Sequence, residues 1–158
     1  MRLAIVIASG YEHSQLASIP AAPLDGELVA RRLSEPDTGA LAVKQLVGDR
    51  ELPERLALLL AGQGTILESV IIYFSGYLAW MGNRSPALLL DAPRARAFPL
   101  SRLCRLLERC TTDALVVFDT LAVIDETKSH FAVADAVDQV ASGFSLSLTT
   151  IVRTRSVS

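Results

Sequence analysis

Strand-like runs that are almost wholly apolar alternate with helix-patterned segments along the whole chain, and this alternation restricts the fold more than any other feature. Leu3 to Ala8, Ser69 to Phe74 and Ala114 to Asp119 are such runs, and Leu41 to Val47 and Ser147 to Arg153 are further, more mixed strands. A strand with no polar face is buried on both sides, which happens in parallel sheets covered by helices. Helical segments fall between the runs, over Leu24 to Leu33, Pro53 to Ala61, Pro99 to Cys110 and Thr127 to Ala141. Pro53 suits a first helical turn and Gly62 a helix stop. In the third helix Leu100, Leu103, Cys104, Leu106, Leu107 and Cys110 share an arc of about 160°, with Arg102, Arg105 and Arg109 opposite. Ala87 to Leu90 reads as a short additional strand. The expected class is α/β: a three-layer sandwich with a mostly parallel central sheet of about five to six strands and helices on both faces. With 158 residues, one domain over 1–158 is expected.

Composition closes off several functions. The net charge of −2 supplies no basic field for nucleic acid. Mean hydropathy is high at +0.38, yet Gly, Pro or a charge interrupts every apolar stretch short of the ~18 residues of a membrane span. Met1 to Ala8 is too brief for a signal peptide core, so a cytoplasmic location is expected. Cys104 and Cys110 lie on the apolar helical arc, where thiols act as small hydrophobes. His13 and His130 belong to no cluster with metal-ligand spacing, so neither a metal nor another cofactor is expected. Gly62-Gln-Gly64 follows a helix rather than a strand, the wrong context for a phosphate loop.

In a doubly wound sheet, chemistry sits at the carboxyl ends of the strands. Here those are Ser9-Gly10, Val47-Gly48, Ser75-Gly76-Tyr77 and Asp119-Thr120-Leu121. The segment Tyr77-Leu-Ala-Trp-Met81 is unexpectedly apolar for a loop following a strand. Two readings stand side by side: it folds back to plug the strand ends, against Leu121, Val123 and Ile124, or Tyr77, Trp80 and Met81 offer an aromatic anchor to a partner.

Three blocks resemble bacterial caspase-like domains of the metacaspase and orthocaspase type. The first runs from Leu3-Ala-Ile-Val-Ile-Ala8 through Leu16, Pro20-Ala-Ala-Pro23, Asp25, Leu33, Pro36 and Gly39. The second, Val70-Ile-Ile-Tyr-Phe-Ser-Gly76, is similar to the strand carrying that family's Ser-Gly-His-Gly motif. The third, Val116-Val-Phe-Asp119, is similar to the strand leading into Asp-x-Cys-x-Ser-Gly. The resemblance spans about residues 1 to 124. It places Tyr77 where the family has its catalytic histidine, Leu121 at the catalytic cysteine, and Val123-Ile124 at the Ser-Gly pair. A leucine has no nucleophile, and a phenol with an ordinary pKa near 10 keeps its proton at neutral pH. The expectation is therefore a pseudo-peptidase, not an enzyme.

The resemblance further implies that Asp25 and Asp119 line an acidic pocket for a basic side chain, left able to bind without cutting. Read from the residues alone, Asp25 instead caps the first helix and Asp119 bonds local backbone amides. The implied role is a protein-binding adaptor or regulatory module in bacterial signalling or defence. Its implied partners are an active protease, an NTPase, a repeat protein or a second copy, with no nucleic acid and no membrane. The family's sixth strand would follow Arg153, so the chain either lacks it or leaves an edge to pair. Two alternatives belong to other classes. One is a hydrolase using Thr120 or His13; the other is a phosphate- or nucleotide-sensing doubly wound domain, for which Ser9-Gly10-Tyr11 lacks the acidic cluster of a receiver.

Overall fold

The expected alternation is present in the computed structural model, which describes residues 1–62, 64–81, 85–94, 96–122 and 130–155. Seven strands and four α-helices follow in the order β1 (Arg2–Ala8), α1 (Ala21–Leu33), β2 (Leu41–Val47), α2 (Leu52–Ala61), β3 (Ser69–Met81), β4 (Ser85–Leu90), β5 (Arg96–Pro99), α3 (Leu100–Glu108), β6 (Asp113–Ala122), α4 (His130–Ser142) and β7 (Ser147–Arg155). Five strands run parallel in the order β2-β1-β3-β6-β7, and β4 and β5 add an antiparallel extension to β3.

Strand alternation sends side chains to two cores. Leu3, Ile5, Ile7, Val70, Ile72, Phe74, Val116 and Phe118 pack against Leu52 and Leu56 of α2, Leu103 and Leu107 of α3, and Val133 and Val137 of α4. On the opposite face Val6 and Tyr73 meet Ala30, with Val29, Leu33, Val43 and Val117 around them. One helix thus covers one face and three cover the other. The α/β sandwich expected from the sequence is what forms, with seven strands because the β4–β5 hairpin enlarges the sheet. No helix among the described residues is long and apolar enough to cross a membrane.

Several boundaries differ from expectation. The first helix starts at Ala21 rather than Leu24. Pro23 is tolerated there because first-turn N–H groups have no intrahelical acceptor. More consequentially, Ser75-Gly76 does not end β3, which continues to Met81. Tyr77 to Met81 is therefore strand, paired from Leu78 to Met81 with β4. Likewise Asp119-Thr120-Leu121 lies inside β6, which continues to Ala122. The expected residues Val123, Ile124 and Thr127 lie outside the described residues.

Candidate functional site

The chain enters at β1, steps outward to β2, then crosses back over β1 to β3, so strand order reverses between β1 and β3. That reversal opens a crevice in an open α/β sheet, where ligands ordinarily bind. Here it is filled. Pairing of β1 with β3 ends at Ala8 opposite Ser75, and β4 begins to pair with β3 at Leu78. Leu78 is also paired with β6 on its other edge, so β4 takes the edge that β1 leaves. Tyr77 falls in the gap between the two ladders, and the Tyr11 hydroxyl closes it. That hydroxyl accepts the Tyr77 N–H at 2.7 Å and donates to the Leu89 carbonyl at 2.7 Å. Tyr11 is 1% exposed and holds φ at 57°, a left-handed conformation costly for a bulky residue. Beside it the Ser9 hydroxyl donates to Asp91 at 3.2 Å, and the His13 N–H donates to the same carboxylate at 3.1 Å.

Tyr77 and Leu121, the two positions singled out for lost catalysis, are register partners on adjacent parallel strands. Both belong to one apolar cluster with Tyr11, Leu16, Ile19, Ala79 and Leu89. The Tyr77 ring meets the Tyr11 ring edge-on at 4.8 Å, and its hydroxyl donates to the Ala17 carbonyl at 2.8 Å. Desolvation pushes the Tyr77 and Tyr11 phenols above their ordinary values. The expected fold-back of Tyr77 to Met81 does not occur, because that segment is strand; the space beside Tyr77 is filled instead. The plug comes from the β1–α1 loop rather than from a folded-back segment after β3. Tyr77 is correspondingly 6% exposed and offers no aromatic anchor, which corrects the other reading for that residue. Trp80 is half-buried against the main core, and Met81 is exposed.

Next to the plug, on the α1 side of the sheet, lies a polar cluster. The Asp119 carboxylate is almost wholly buried and accepts the Tyr73 hydroxyl at 3.1 Å. It also receives a two-pronged bond from Arg153, Nε at 2.9 Å and a terminal nitrogen at 2.6 Å. Arg153 stands directly opposite Asp119 in the β6–β7 register. Asp25 adds its charge to the same cluster, where it helps raise both Arg153 and Tyr73. Tyr73 is pushed up to about 12, first by burial and then by the Asp119 carboxylate.

Asp25 and Asp119 both act on Tyr73 and Arg153, and the local reading of Asp25 needs correction. Asp25 does not cap α1: Pro20 occupies that position and Asp25 sits beyond the first turn. The Asp119 bonds described above go to side chains of β3 and β7. Sequence reasoning missed Tyr11, Tyr73 and Arg153. A phenol inside an otherwise apolar strand needs a partner when buried, so Tyr73 carried a signal. Arg153 carried none without the register.

The other candidates stay apart from this site. His13 is exposed on the loop after β1 and Thr120 is 1% exposed. Thr120 Oγ1 is the one buried side-chain oxygen or nitrogen without a hydrogen bond among the described residues. Among the described residues, no base stands within hydrogen-bond reach to activate it. His130 lies at the start of α4. Cys104 and Cys110 are buried, and desolvation, joined at Cys104 by the charge of Glu108, raises both thiols, Cys104 to about 11. The arginine face of α3 is solvated, with the Arg102 guanidinium 5.6 Å from the centre of the Phe98 ring.

This architecture is similar to the crystal structure of protein GSU0716 from Geobacter sulfurreducens. The TM-score is 0.62 at 12% identity, over 97% of this chain and 72% of that one. At such identity the likeness extends to the fold alone. No protein-family model and no curated protein matches the chain.

Proposed function

We propose that the chain is a catalytically silent, caspase-like docking module of the bacterial cytoplasm. In this reading it engages a protein partner as an adaptor or regulatory unit in signalling or defence. The observation that carries it is the pairing of Tyr77 with Leu121. The two positions that the sequence resemblance assigns to base and nucleophile do face each other across β3 and β6, and they hold a phenol bonded to a backbone carbonyl and a hydrocarbon. Neither can attack a carbonyl or relay a proton at neutral pH. Beside them lies an acidic pair, Asp119 with Asp25, whose charge suits a basic side chain of a partner. The hydrolase alternative gains nothing from Thr120, which is buried without a base. Partners in keeping with the family resemblance are an active protease, an NTPase, a repeat protein or a second copy.

The test is incubation of the full chain with peptides carrying a single Arg, Lys or Gln, followed by mass spectrometry and fluorescence anisotropy. All peptides are expected to remain intact. Basic peptides are expected to bind better than the Gln peptide, and to lose that advantage with Asp119→Asn. Cleavage that persists through purification and disappears with Thr120→Ala would overturn the reading.

A further inference from the structure

The acidic site at Asp119 already holds a guanidinium, and it is the chain's own. Asp119 and Arg153 are unequal halves of one ion pair: the Asp119 side chain is 7% exposed and the Arg153 side chain 62%. The carboxylate is built into β6, fixed by the Tyr73 hydroxyl and flanked by the charge of Asp25. The guanidinium arrives from β7, whose only strand partner among the described residues is β6, and its side chain is largely exposed. A buried carboxylate is costly to leave without a cation, whereas an exposed arginine is readily rehydrated. The anion is therefore the permanent part of the site and the cation the exchangeable part.

We propose that Arg153 is a tethered self-ligand that keeps the site shut, and that a partner engages by exchanging its own arginine for it. This rests on the docking reading above and adds its regulation and its preference. The two-pronged geometry at Asp119 fits a planar guanidinium; an ammonium reproduces one of the two bonds, so arginine is favoured over lysine. Because Arg153 is delivered by the β6–β7 register, its effective concentration at the site is on the order of millimolar or above. An incoming side chain without further contacts loses that competition.

The experiment titrates the full chain with acetyl-arginine amide, acetyl-lysine amide and the neutral isostere acetyl-citrulline amide, followed by NMR. Arg153→Ala is expected to bind the arginine probe at least tenfold more tightly than wild type, the lysine probe with a smaller gain, and the citrulline probe with none. Adding Asp119→Asn is expected to abolish the gain. Equal binding of the arginine probe by wild type and Arg153→Ala overturns the gate and leaves the docking reading standing. Binding by neither overturns both. Should Arg153→Ala fail to fold, the Arg153 Nε–H signal of the labelled wild-type chain reports the exchange directly. Movement of that signal toward the position of a free arginine as the probe saturates supports the gate; a fixed signal during saturation overturns it.

Discussion

At the scale of single residues, the decisive contact is between a glycine without a side chain and a tyrosine without freedom. A methyl group added at Gly76 would collide with the Tyr11 hydroxyl and sit 2.9 Å from Phe74 Cζ. Gly76 is thus present for space rather than for a turn, and Tyr11 is present for its hydroxyl as much as for its ring. Tyr11→Phe leaves the Tyr77 N–H and the Leu89 carbonyl without that partner, at an expected cost of about 1–3 kcal/mol. Gly76→Ala forces Tyr11 aside and is expected to cost about 1–3 kcal/mol by overpacking. Both changes break the same contact, so the double variant should lose less than the sum of the two. Urea denaturation of all four proteins measures this; additivity within about 0.5 kcal/mol would mean the two sites are independent.

At the scale of elements, what was legible followed from periodicity, and what was not followed from tertiary space. The buried strands and the amphipathic α3 are visible in the sequence because burial on one face or two imposes a pattern. The continuation of β3 was hidden because Ser75-Gly76 imitates a break, while β5, four residues with two exposed, has no pattern to show. Glycine within a strand often marks a close approach instead, and with that reading the apolar Tyr77 to Met81 stops being an anomalous loop. The candidate site was legible in part: the sequence points to Tyr77, Leu121, Asp25 and Asp119, but the contacts of Tyr11, Tyr73 and Arg153 with them depend on register and crossing. Gly26 makes the same point for a helix. A methyl group there would meet Ala8 Cβ at 2.7 Å, so α1 seats on β1 only because the position is bare. Alanine is favoured over glycine in a helix by about 1 kcal/mol, yet two rigid Cβ atoms cannot share that space. Gly26→Ala is therefore expected to destabilise the chain by about 1–2 kcal/mol. In an Ala8→Gly background the same change should become stabilising, and thermal melts of the two pairs test that reversal of sign. Stabilisation of the wild type by Gly26→Ala would refute the close seating of α1.

At the scale of the whole molecule, the carboxyl side of the sheet is sealed by protonated groups. All three tyrosines of the chain, Tyr11, Tyr73 and Tyr77, are buried there and hydrogen-bonded through their hydroxyls. Each phenol is raised above the ordinary value near 10, chiefly by desolvation, and Tyr73 reaches about 12. The unfolded chain releases these protons near pH 10 while the folded chain still holds them. Between those values the folded state binds more protons, so the stability the phenols contribute is fully present below about pH 10 and falls as pH rises toward 12. The thiols of Cys104 and Cys110 act in the same direction from a lower starting point, near 9. Tyrosinate absorbance is accordingly expected to rise at higher pH than that of free tyrosine, and in one step. That step should coincide with the loss of far-ultraviolet circular dichroism, because ionisation waits for the sheet to open. A rise of about one-third of the full amplitude near pH 10, with the circular dichroism still native, would mean that one phenol is open to water. The filled crevice between β1 and β3 would then be a gap that a ligand can enter.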